Sequence, residues 1–245
     1  HKFSTGADSI LKTVKIPSIK NFRKPNLKIP QYTVALAGNP NVGKSTVFNV
    51  LTGLHQHTGN WPGKTVERAE GKYIYQKNNF NIVDIPGTYS LLSNSAEEEV
   101  ARDFICFNNP DAVIVVMDAT CIERNLNLTL QILEITNKVI VCLNMMDEAK
   151  KKKIFIDTDE LSLQLGGIPV VSTSARKAIG IDKLKTAIKT TCENKIKSQE
   201  IKNNYGEDIE QSLENLTPVI SKNDIGNISP RFLSLRILEN DISFC

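Results

Sequence analysis

Residues 38–45 read Gly-Asn-Pro-Asn-Val-Gly-Lys-Ser and directly follow the apolar run Thr33 to Ala37. A Gly-x-x-x-x-Gly-Lys-Ser spacing between a strand and a helix forms a loop whose backbone N–H groups surround phosphate oxygens. The loop needs a buried strand before it and a helix whose positive amino end faces the anion, so it restricts the chain to an α/β fold. The predicted phosphate-binding residues are Gly38, Asn39, Pro40, Asn41, Val42, Gly43, Lys44, Ser45 and Thr46.

Within this loop, we expect Lys44 to reach the outer phosphates and the Ser45 hydroxyl to ligate Mg²⁺. A second polar segment follows the predicted strand Asn79 to Val83. Its members are Asp84, Ile85, Pro86 and Gly87. An Asp at the end of that strand can hold Mg²⁺ and its waters, and the Gly87 N–H can sense a γ-phosphate.

Two further strand ends predict which base is bound. The strand Val139 to Leu143 leads into Asn144, Met145, Met146 and Asp147, and the strand Ile168 to Val171 precedes Ser174, Ala175 and Arg176. A carboxylate at Asp147 can accept hydrogen bonds from the N1–H and 2-amino groups of guanine, both of which adenine lacks. We expect Asn144 to brace the loop and Ala175 to let a backbone N–H approach guanine O6. The four segments together favour GTP over ATP.

These segments resemble the nucleotide motifs of the Ras-like GTPase superfamily. Residues 57–67, which read His-Thr-Gly-Asn-Trp-Pro-Gly-Lys-Thr-Val-Glu, narrow the resemblance further. Together with residues 84–91 they closely resemble the ferrous iron transport protein B family of bacteria, from about Val34 to the end of the chain. Lys64 is a departure, because the family more often has an apolar residue there.

The resemblance implies a GTPase at the cytoplasmic face of the bacterial membrane, linked to a transmembrane part that would carry Fe²⁺. It implies a first switch formed by Gly63, Lys64, Thr65, Val66 and Glu67. In the GTP state Thr65 would close over Mg²⁺, alongside Ser45 and Asp84. Asn41 resembles the potassium-binding residue of cation-dependent GTPases, and the backbone carbonyls of Gly59 and Trp61 could complete that K⁺ site.

The expected catalytic residues are Asn41, Lys44, Thr65 and Gly87. Ras-like enzymes often have a Gln after the Asp-x-x-Gly motif that orients the attacking water, and this chain has Thr88 there. A K⁺ ion held by Asn41 would supply the positive charge that an arginine finger otherwise provides. We therefore expect slow turnover that K⁺ stimulates, with the switches coupling or gating iron uptake.

The alternation of strands and helices predicts a doubly wound α/β sheet of the P-loop GTPase type, with Val66 to Tyr75 as its edge strand. We expect a basic, flexible extension over residues 1–30, a GTPase domain over 31–193 and a small all-helical domain over 194–245. The helical domain would contain two amphipathic stretches. The first carries Ile209, Leu213 and Leu216, and the second carries Phe232, Leu235 and Leu238.

Composition limits the other possibilities. The longest apolar runs fall well short of the roughly 20 residues that a membrane helix needs. Since full-length members of the family that the chain resembles carry a transmembrane part after this region, we expect a soluble N-terminal fragment. Five scattered cysteines without a Cys-x-x-Cys pair argue against a disulfide framework or zinc site and favour a reducing cytoplasm. His55 and His57 are interpreted as polar loop residues rather than iron ligands.

Charge is concentrated at the amino end. Residues 1–30 carry seven basic residues and one acidic residue, whereas the rest of the chain is net acidic. The segment is interpreted as a flexible arm, or as one that contacts anionic lipid headgroups. Nucleic-acid binding is not expected, because aromatic residues do not alternate with the basic ones.

Two other functions remain open from the sequence. One is a soluble cation-dependent GTPase that acts on RNA or ribosomes. The other is a regulatory module that senses GTP with negligible turnover, an option that Thr88 supports. Homo-oligomer formation is possible under each of these interpretations.

Overall fold

The structure, a computed structural model, describes residues 32–53, 56–92, 95–195, 204–222 and 228–239. The predicted basic extension, His55 and Cys245 lie outside the described residues. The described chain divides into two compact units, residues 32–195 and residues 204–239. Each unit is described separately below.

The first unit is built around a mixed sheet. Its strands are β1 (Tyr32–Gly38), β2 (Gln56–Asn60), β3 (Glu67–Tyr75), β4 (Asn78–Asp84), β5 (Ala112–Asp118), β6 (Val139–Asn144) and β7 (Val170–Ser172). Its helices are α1 (Lys44–Thr52), α2 (Ala96–Phe107), α3 (Ile122–Ile135), α4 (Met146–Lys151), α5 (Thr158–Gln164) and α6 (Ile181–Cys192), with a 3₁₀ turn at Ala175–Lys177. Among the described residues the strand order is β2-β3-β4-β1-β5-β6-β7.

The central strands are parallel and buried. Strand β1 pairs in parallel with β4 and β5, and β6 pairs in parallel with β5 and β7. Continuous apolar runs in β5 and β6 are buried on both faces of the sheet. On α6 the residues that recur at helical spacing, Ile181, Leu184 and Ile188, lie in the same core. The predicted doubly wound α/β class is confirmed.

One predicted position in the sheet is wrong. The segment Val66 to Tyr75 was expected at the edge, but β3 lies inside the sheet, antiparallel to both β4 and β2. The edge strand is β2, whose sequence Gln-His-Thr-Gly-Asn has no apolar residue. A strand without an apolar face gives no alternation to detect, which explains why the sequence did not reveal it.

The second unit contains α7 (Glu207–Ile220) and α8 (Pro230–Leu238). Leu213 is buried as predicted, and so are Phe232 and Leu235, whereas Ile209 and Leu238 are exposed. The Arg231 guanidinium donates to both carboxylate oxygens of Glu210, at 2.9 and 2.8 Å, and links the two helices. In the described part of the chain, no helix is both long and apolar enough to cross a membrane.

Candidate nucleotide-binding site

The loop between β1 and α1 adopts the left-handed turns that a phosphate-binding loop requires. Asn41 has φ 67°, and Gly43, which immediately precedes α1, has φ 84°. Within the described residues, no side chain caps the amino end of α1. The first N–H groups of this helix therefore face outward, where they can bind an anion.

Lys44 and Asp84 form an ion pair beside this loop. Both side chains are largely buried, and Ser45 is exposed at the start of α1. Burial raises the pKa of the Asp84 carboxyl, and the neighbouring Lys44 offsets part of that effect. Carboxylate and hydroxyl oxygens are donors that suit Mg²⁺. The predicted metal residues Ser45 and Asp84 therefore fit such an ion.

Asn144 links the phosphate loop to the loop after β7. Its side-chain Nδ2 donates to the Val42 carbonyl at 3.1 Å, and its Oδ1 accepts from the Ala175 backbone N–H at 3.0 Å. Thr173 adds a hydrogen bond to the same Oδ1 at 3.3 Å. Asn144 is only 3% exposed, so these bonds form inside the protein. The expectation that Asn144 braces the loop agrees with this geometry.

Gly43 lies directly against this amide. A Cβ atom at residue 43 would lie 2.5 Å from the Asn144 Nδ2. Only glycine fits there, because the backbone is left-handed and the neighbouring amide is held by buried hydrogen bonds. The close approach of the phosphate loop to the asparagine after β6 thus requires glycine at residue 43.

The Asp147 carboxylate lies close to the Lys177 ammonium, at 3.0 Å, at the surface of the site. Its backbone N–H donates to the Ser174 hydroxyl at 3.1 Å. The Lys177 hydrogen bond holds the pKa of the Asp147 carboxyl below its usual value. Asp147 is therefore ionised and can accept hydrogen bonds, as base recognition requires. Lys177 was missed, although it directly follows the predicted segment Ser174 to Arg176.

The first switch forms a hairpin with β3 and lies on α2. The Trp61 ring, 9% exposed, packs edge-on against Phe104 with ring centroids 5.3 Å apart. Lys64 pairs with Glu99 of α2 at 2.7 Å, while Thr65 is exposed. The structure brings the predicted switch residues together, but their approach to the phosphates and the K⁺ site with Gly59 stay predictions.

The second switch runs from the end of β4 along the phosphate loop to α3. A Cβ atom at Gly87 would lie 3.5 Å from the Gly38 carbonyl oxygen and from the Pro40 nitrogen, so the two loops are adjacent. Thr88 is buried, whereas Tyr89 is 42% exposed. Gly87 thus lies beside the phosphate loop, and the contact of its N–H with a γ-phosphate stays a prediction.

No group of three or more His, Cys, Asp or Glu side chains that could hold a metal ion occurs within the described ranges. His57 is exposed on β2. Cys106, Cys142 and Cys192 are buried and reduced, and burial raises the pKa of the Cys142 and Cys192 thiols to about 12. These two thiols are therefore protonated at neutral pH.

Comparison with known proteins gives matches over both units. The family described as "Ferrous iron transport protein B" matches residues 32–188, and the "FeoB cytosolic helical domain" family matches residues 205–245. The Fe(2+) transporter FeoB of Methanocaldococcus jannaschii is 46% identical over 211 residues, which are 86% of this chain and 31% of the relative. The chain thus spans about a third of that relative's length.

Solved structures match over the same range. The cytosolic domain of the T. maritima FeoB iron transporter in apo form is 40% identical with a TM-score of 0.81, covering 87% of this chain and 83% of that one. The same domain in GMPPNP form is 39% identical with a TM-score of 0.80, with the same coverage. That protein has therefore been solved with a non-hydrolysable GTP analogue.

Proposed function

Since the chain belongs to the ferrous iron transport protein B family, we propose that it is the GTP-binding and GTP-hydrolysing part of a ferrous iron transporter. In this proposal it lies at the cytoplasmic face of the membrane. Fe²⁺ is the cargo of the remaining, membrane-embedded part, and the nucleotide state of this chain couples to or gates iron uptake. Domain limits of 31–193 for the GTPase and 194–245 for the helical domain accompany the proposal.

The observation that carries the proposal is the buried bridge from Val42 through Asn144 to Ala175. It ties a phosphate-binding loop to two loops that carry Asp147 and the Ala175 N–H. A carboxylate that accepts two hydrogen bonds and an N–H that donates one complement the edge of guanine, and they oppose the edge of adenine. GMPPNP binding by the T. maritima relative supports the same base.

The nucleotide-binding roles follow the fold. The backbone N–H groups of the loop from Gly38 to Thr46, apart from Pro40, which has none, bind the phosphates together with the Lys44 ammonium. The Gly87 N–H faces the γ-phosphate. Mg²⁺, when bound, neutralises charge between the β- and γ-phosphates, and Ser45, Asp84 and Thr65 would hold it. The first switch around Thr65 is completed by Gly63, Lys64, Val66 and Glu67. The remaining residues of the binding loops support their neighbours; they are Ile85, Pro86, Met145, Met146 and Arg176.

Hydrolysis in this proposal depends on K⁺ rather than on a glutamine. Thr88 follows the Asp-x-x-Gly motif and is 5% exposed, so its short side chain is enclosed by the protein and is not free to orient a water. Asn41 is exposed on the phosphate loop, where its amide oxygen is available to a cation. With the carbonyl oxygens of Gly59 and Trp61 it would hold K⁺, which stabilises developing negative charge.

The test is GTP hydrolysis by the 245-residue chain in KCl and in NaCl at equal ionic strength, for the wild type and Asn41→Ala. We expect faster turnover in KCl, and we expect the substitution to remove that difference while GDP affinity stays within about twofold. Equal rates in both salts would refute the K⁺ site. Absence of turnover in either salt would instead favour the GTP-sensing module, which the buried Thr88 supports.

A further inference from the structure

Arg124 in the first turn of α3 contacts both the phosphate loop and the second switch. Its backbone carbonyl accepts a hydrogen bond from the Asn39 side-chain Nδ2 at 3.1 Å. Asn39 is the second residue of the phosphate loop and is 3% exposed, so this bond fixes the helix start to the loop from the inside. The Arg124 side chain, in contrast, lies at the surface.

The guanidinium of Arg124 holds the ring of Tyr89. Its Nη2 donates to the Tyr89 hydroxyl at 2.7 Å, and its central carbon lies 4.5 Å from the ring centroid. A stacked guanidinium with a charge-assisted hydrogen bond restrains both the position and the tilt of the ring. We call this contact the Arg124–Tyr89 clasp.

The same face of α3 continues to hold the second switch. Asn127 donates from Nδ2 to the Tyr89 carbonyl at 3.3 Å, and Gln131 accepts from the Leu91 N–H at 2.7 Å. Arg124, Asn127 and Gln131 are spaced three and four residues apart, so they form one stripe along the helix. The second switch is therefore attached to α3 at three successive points.

A further side-chain hydrogen bond lies at the start of the helix. Asn125 is buried and its Nδ2 donates to the Cys121 carbonyl at 2.7 Å. On the other side of the clasp, two residues before Tyr89, Gly87 lies against Gly38 and Pro40 of the phosphate loop. The contacts thus run from Asn39 in the phosphate loop to Arg124 and then to Tyr89. From Tyr89 the chain leads back to Gly87, which lies against the same loop.

From these contacts we propose that Arg124 is a positioning residue that couples the phosphate loop to the second switch. By fixing Tyr89, it holds the Gly87 N–H where a γ-phosphate arrives. Loss of the clasp then weakens the binding of a triphosphate but leaves the binding of a diphosphate unchanged, because GDP has no γ-phosphate to contact Gly87. This inference rests on the proposed GTPase function, although its binding test does not require turnover.

The experiment measures Kd for GMPPNP and for GDP, and kcat for GTP, in the 245-residue chain. For Arg124→Ala we expect about a tenfold weaker GMPPNP affinity and a lower kcat, with GDP affinity changed by less than twofold. Arg124→Lys keeps a cation over the ring but loses the planar fork, so it should recover part of the loss. Tyr89→Phe keeps the ring and removes the hydroxyl, so it should give an intermediate effect.

The clasp also predicts non-additivity. Arg124→Ala combined with Tyr89→Phe should be no worse than Arg124→Ala alone, because the first change already removes the contact. Lys185→Ala is the matched control. Lys185 is on α6, and its ammonium lies 5.7 Å from the centroid of the Tyr73 ring, so the substitution removes another cation over an aromatic ring. It should change neither Kd.

Equal loss of GMPPNP and GDP affinity in Arg124→Ala would indicate general destabilisation and would overturn the coupling role. Unchanged GMPPNP affinity in both Arg124→Ala and Tyr89→Phe would overturn it as well. If the wild type binds both nucleotides but does not hydrolyse GTP, the proposed enzymatic function fails while the affinity comparison still decides the role of Arg124.

Discussion

The base-binding side and the switch side of the site are held by different kinds of contact. Around Asn144, the hydrogen bonds are buried and link three loops. Around the switches, the contacts of charged side chains are at the surface: the Lys64–Glu99 pair has side chains 34% and 37% exposed, and the Arg124–Tyr89 clasp is also exposed. A buried polar group left unpaired costs about 1–3 kcal/mol, whereas an exposed ion pair contributes about 0–1 kcal/mol.

This difference in contacts separates recognition of the base from the response of the switches to the γ-phosphate. The base-binding loops have their hydrogen bonds formed before a nucleotide arrives, so binding the base requires little rearrangement. The first switch is attached to α2 by an exposed ion pair, which phosphate or metal interactions of similar strength can replace. A ligand shifts such an equilibrium only by its differential affinity for the two states, and weak attachments keep the required difference small.

The strongest test of this contrast is Gly43→Ala. The new methyl group would sit 2.5 Å from the Asn144 amide, in a left-handed backbone, so the buried bridge must break. We expect the free energy of unfolding to fall by about 3 kcal/mol, from about 1–2 kcal/mol of backbone strain plus a lost buried hydrogen bond. Guanine-nucleotide affinity should fall by about a hundredfold or more, as measured by titration with a fluorescent GDP.

Gly167→Ala is the matched control. Gly167 also has a left-handed backbone, with φ 78°, but a Cβ atom there would meet nothing within 4 Å. It should lose about 1–2 kcal/mol of stability and no nucleotide affinity. If both variants bind GDP equally well, the bridge is not the base-side framework described here.

A pH titration should separate the Mg²⁺-dependent part of GDP affinity from the part that depends on base recognition, without a large loss of stability. Burial raises the pKa of Asp84, so on acidification this carboxyl gains a proton at higher pH than an ordinary aspartate does. Lys177 lowers the pKa of Asp147, which therefore stays charged at that pH. As the pH falls, the enhancement of GDP affinity by Mg²⁺ should decline first, while the affinity measured in EDTA persists.

Asp84→Asn serves as the reference for this titration. It cannot gain a proton at residue 84, so its smaller Mg²⁺ enhancement should be independent of pH over the same range. The assignment to Asp84 is wrong if the variant retains the wild-type pH profile. Asp147 is wrong as the base acceptor if the EDTA affinity falls together with the Mg²⁺ enhancement.

The sequence predicted the strand ends on the base-binding side better than it predicted the contacts of the switches. Buried parallel strands such as β5 and β6 are continuous apolar runs, and their polar ends lie at the same edge of the sheet. Asn144 and Asp147 could therefore be placed at that edge from position alone, and their contacts with a base stay predictions. The family resemblance carried by residues 57–67 and 84–91 is confirmed by the family match over residues 32–188.

The contacts of the switches could not be predicted in this way. Lys64 with Glu99 and Tyr89 with Arg124 are 35 residues apart in each pair, and no local pattern relates their members. Strand β2 was missed because all of its residues are polar or glycine. Surface contacts between distant residues depend on how the helices pack, which periodicity does not specify.

The smallest expected effect is a change in GMPPNP affinity when the ion pair between the first switch and α2 is removed. Lys64→Ala removes the ion pair with Glu99 and leaves the Trp61–Phe104 packing in place. Because the pair holds the switch on α2, its loss should tighten GMPPNP binding by about two- to fivefold, with GDP affinity unchanged and less than about 1 kcal/mol lost in stability. The change in Trp61 fluorescence on GMPPNP addition reports the transition. The expected gain in GMPPNP affinity is opposite in sign to the loss expected for Arg124→Ala. Gly87 already lies beside the phosphate loop, so releasing the second switch removes a contact from the site. Thr65 is exposed, so releasing the first switch lets it move toward the nucleotide.

Salt separates this electrostatic effect from a change in packing. An exposed ion pair is screened at about 1 M salt, so wild type and Lys64→Ala should converge in their GMPPNP affinities there. Lys72→Ala, an exposed lysine on β3, should resemble the wild type at every salt concentration. If Lys64→Ala binds GMPPNP no more tightly at low salt, the ion pair does not restrain the switch. The Trp61–Phe104 contact would then be the attachment that the γ-phosphate must overcome.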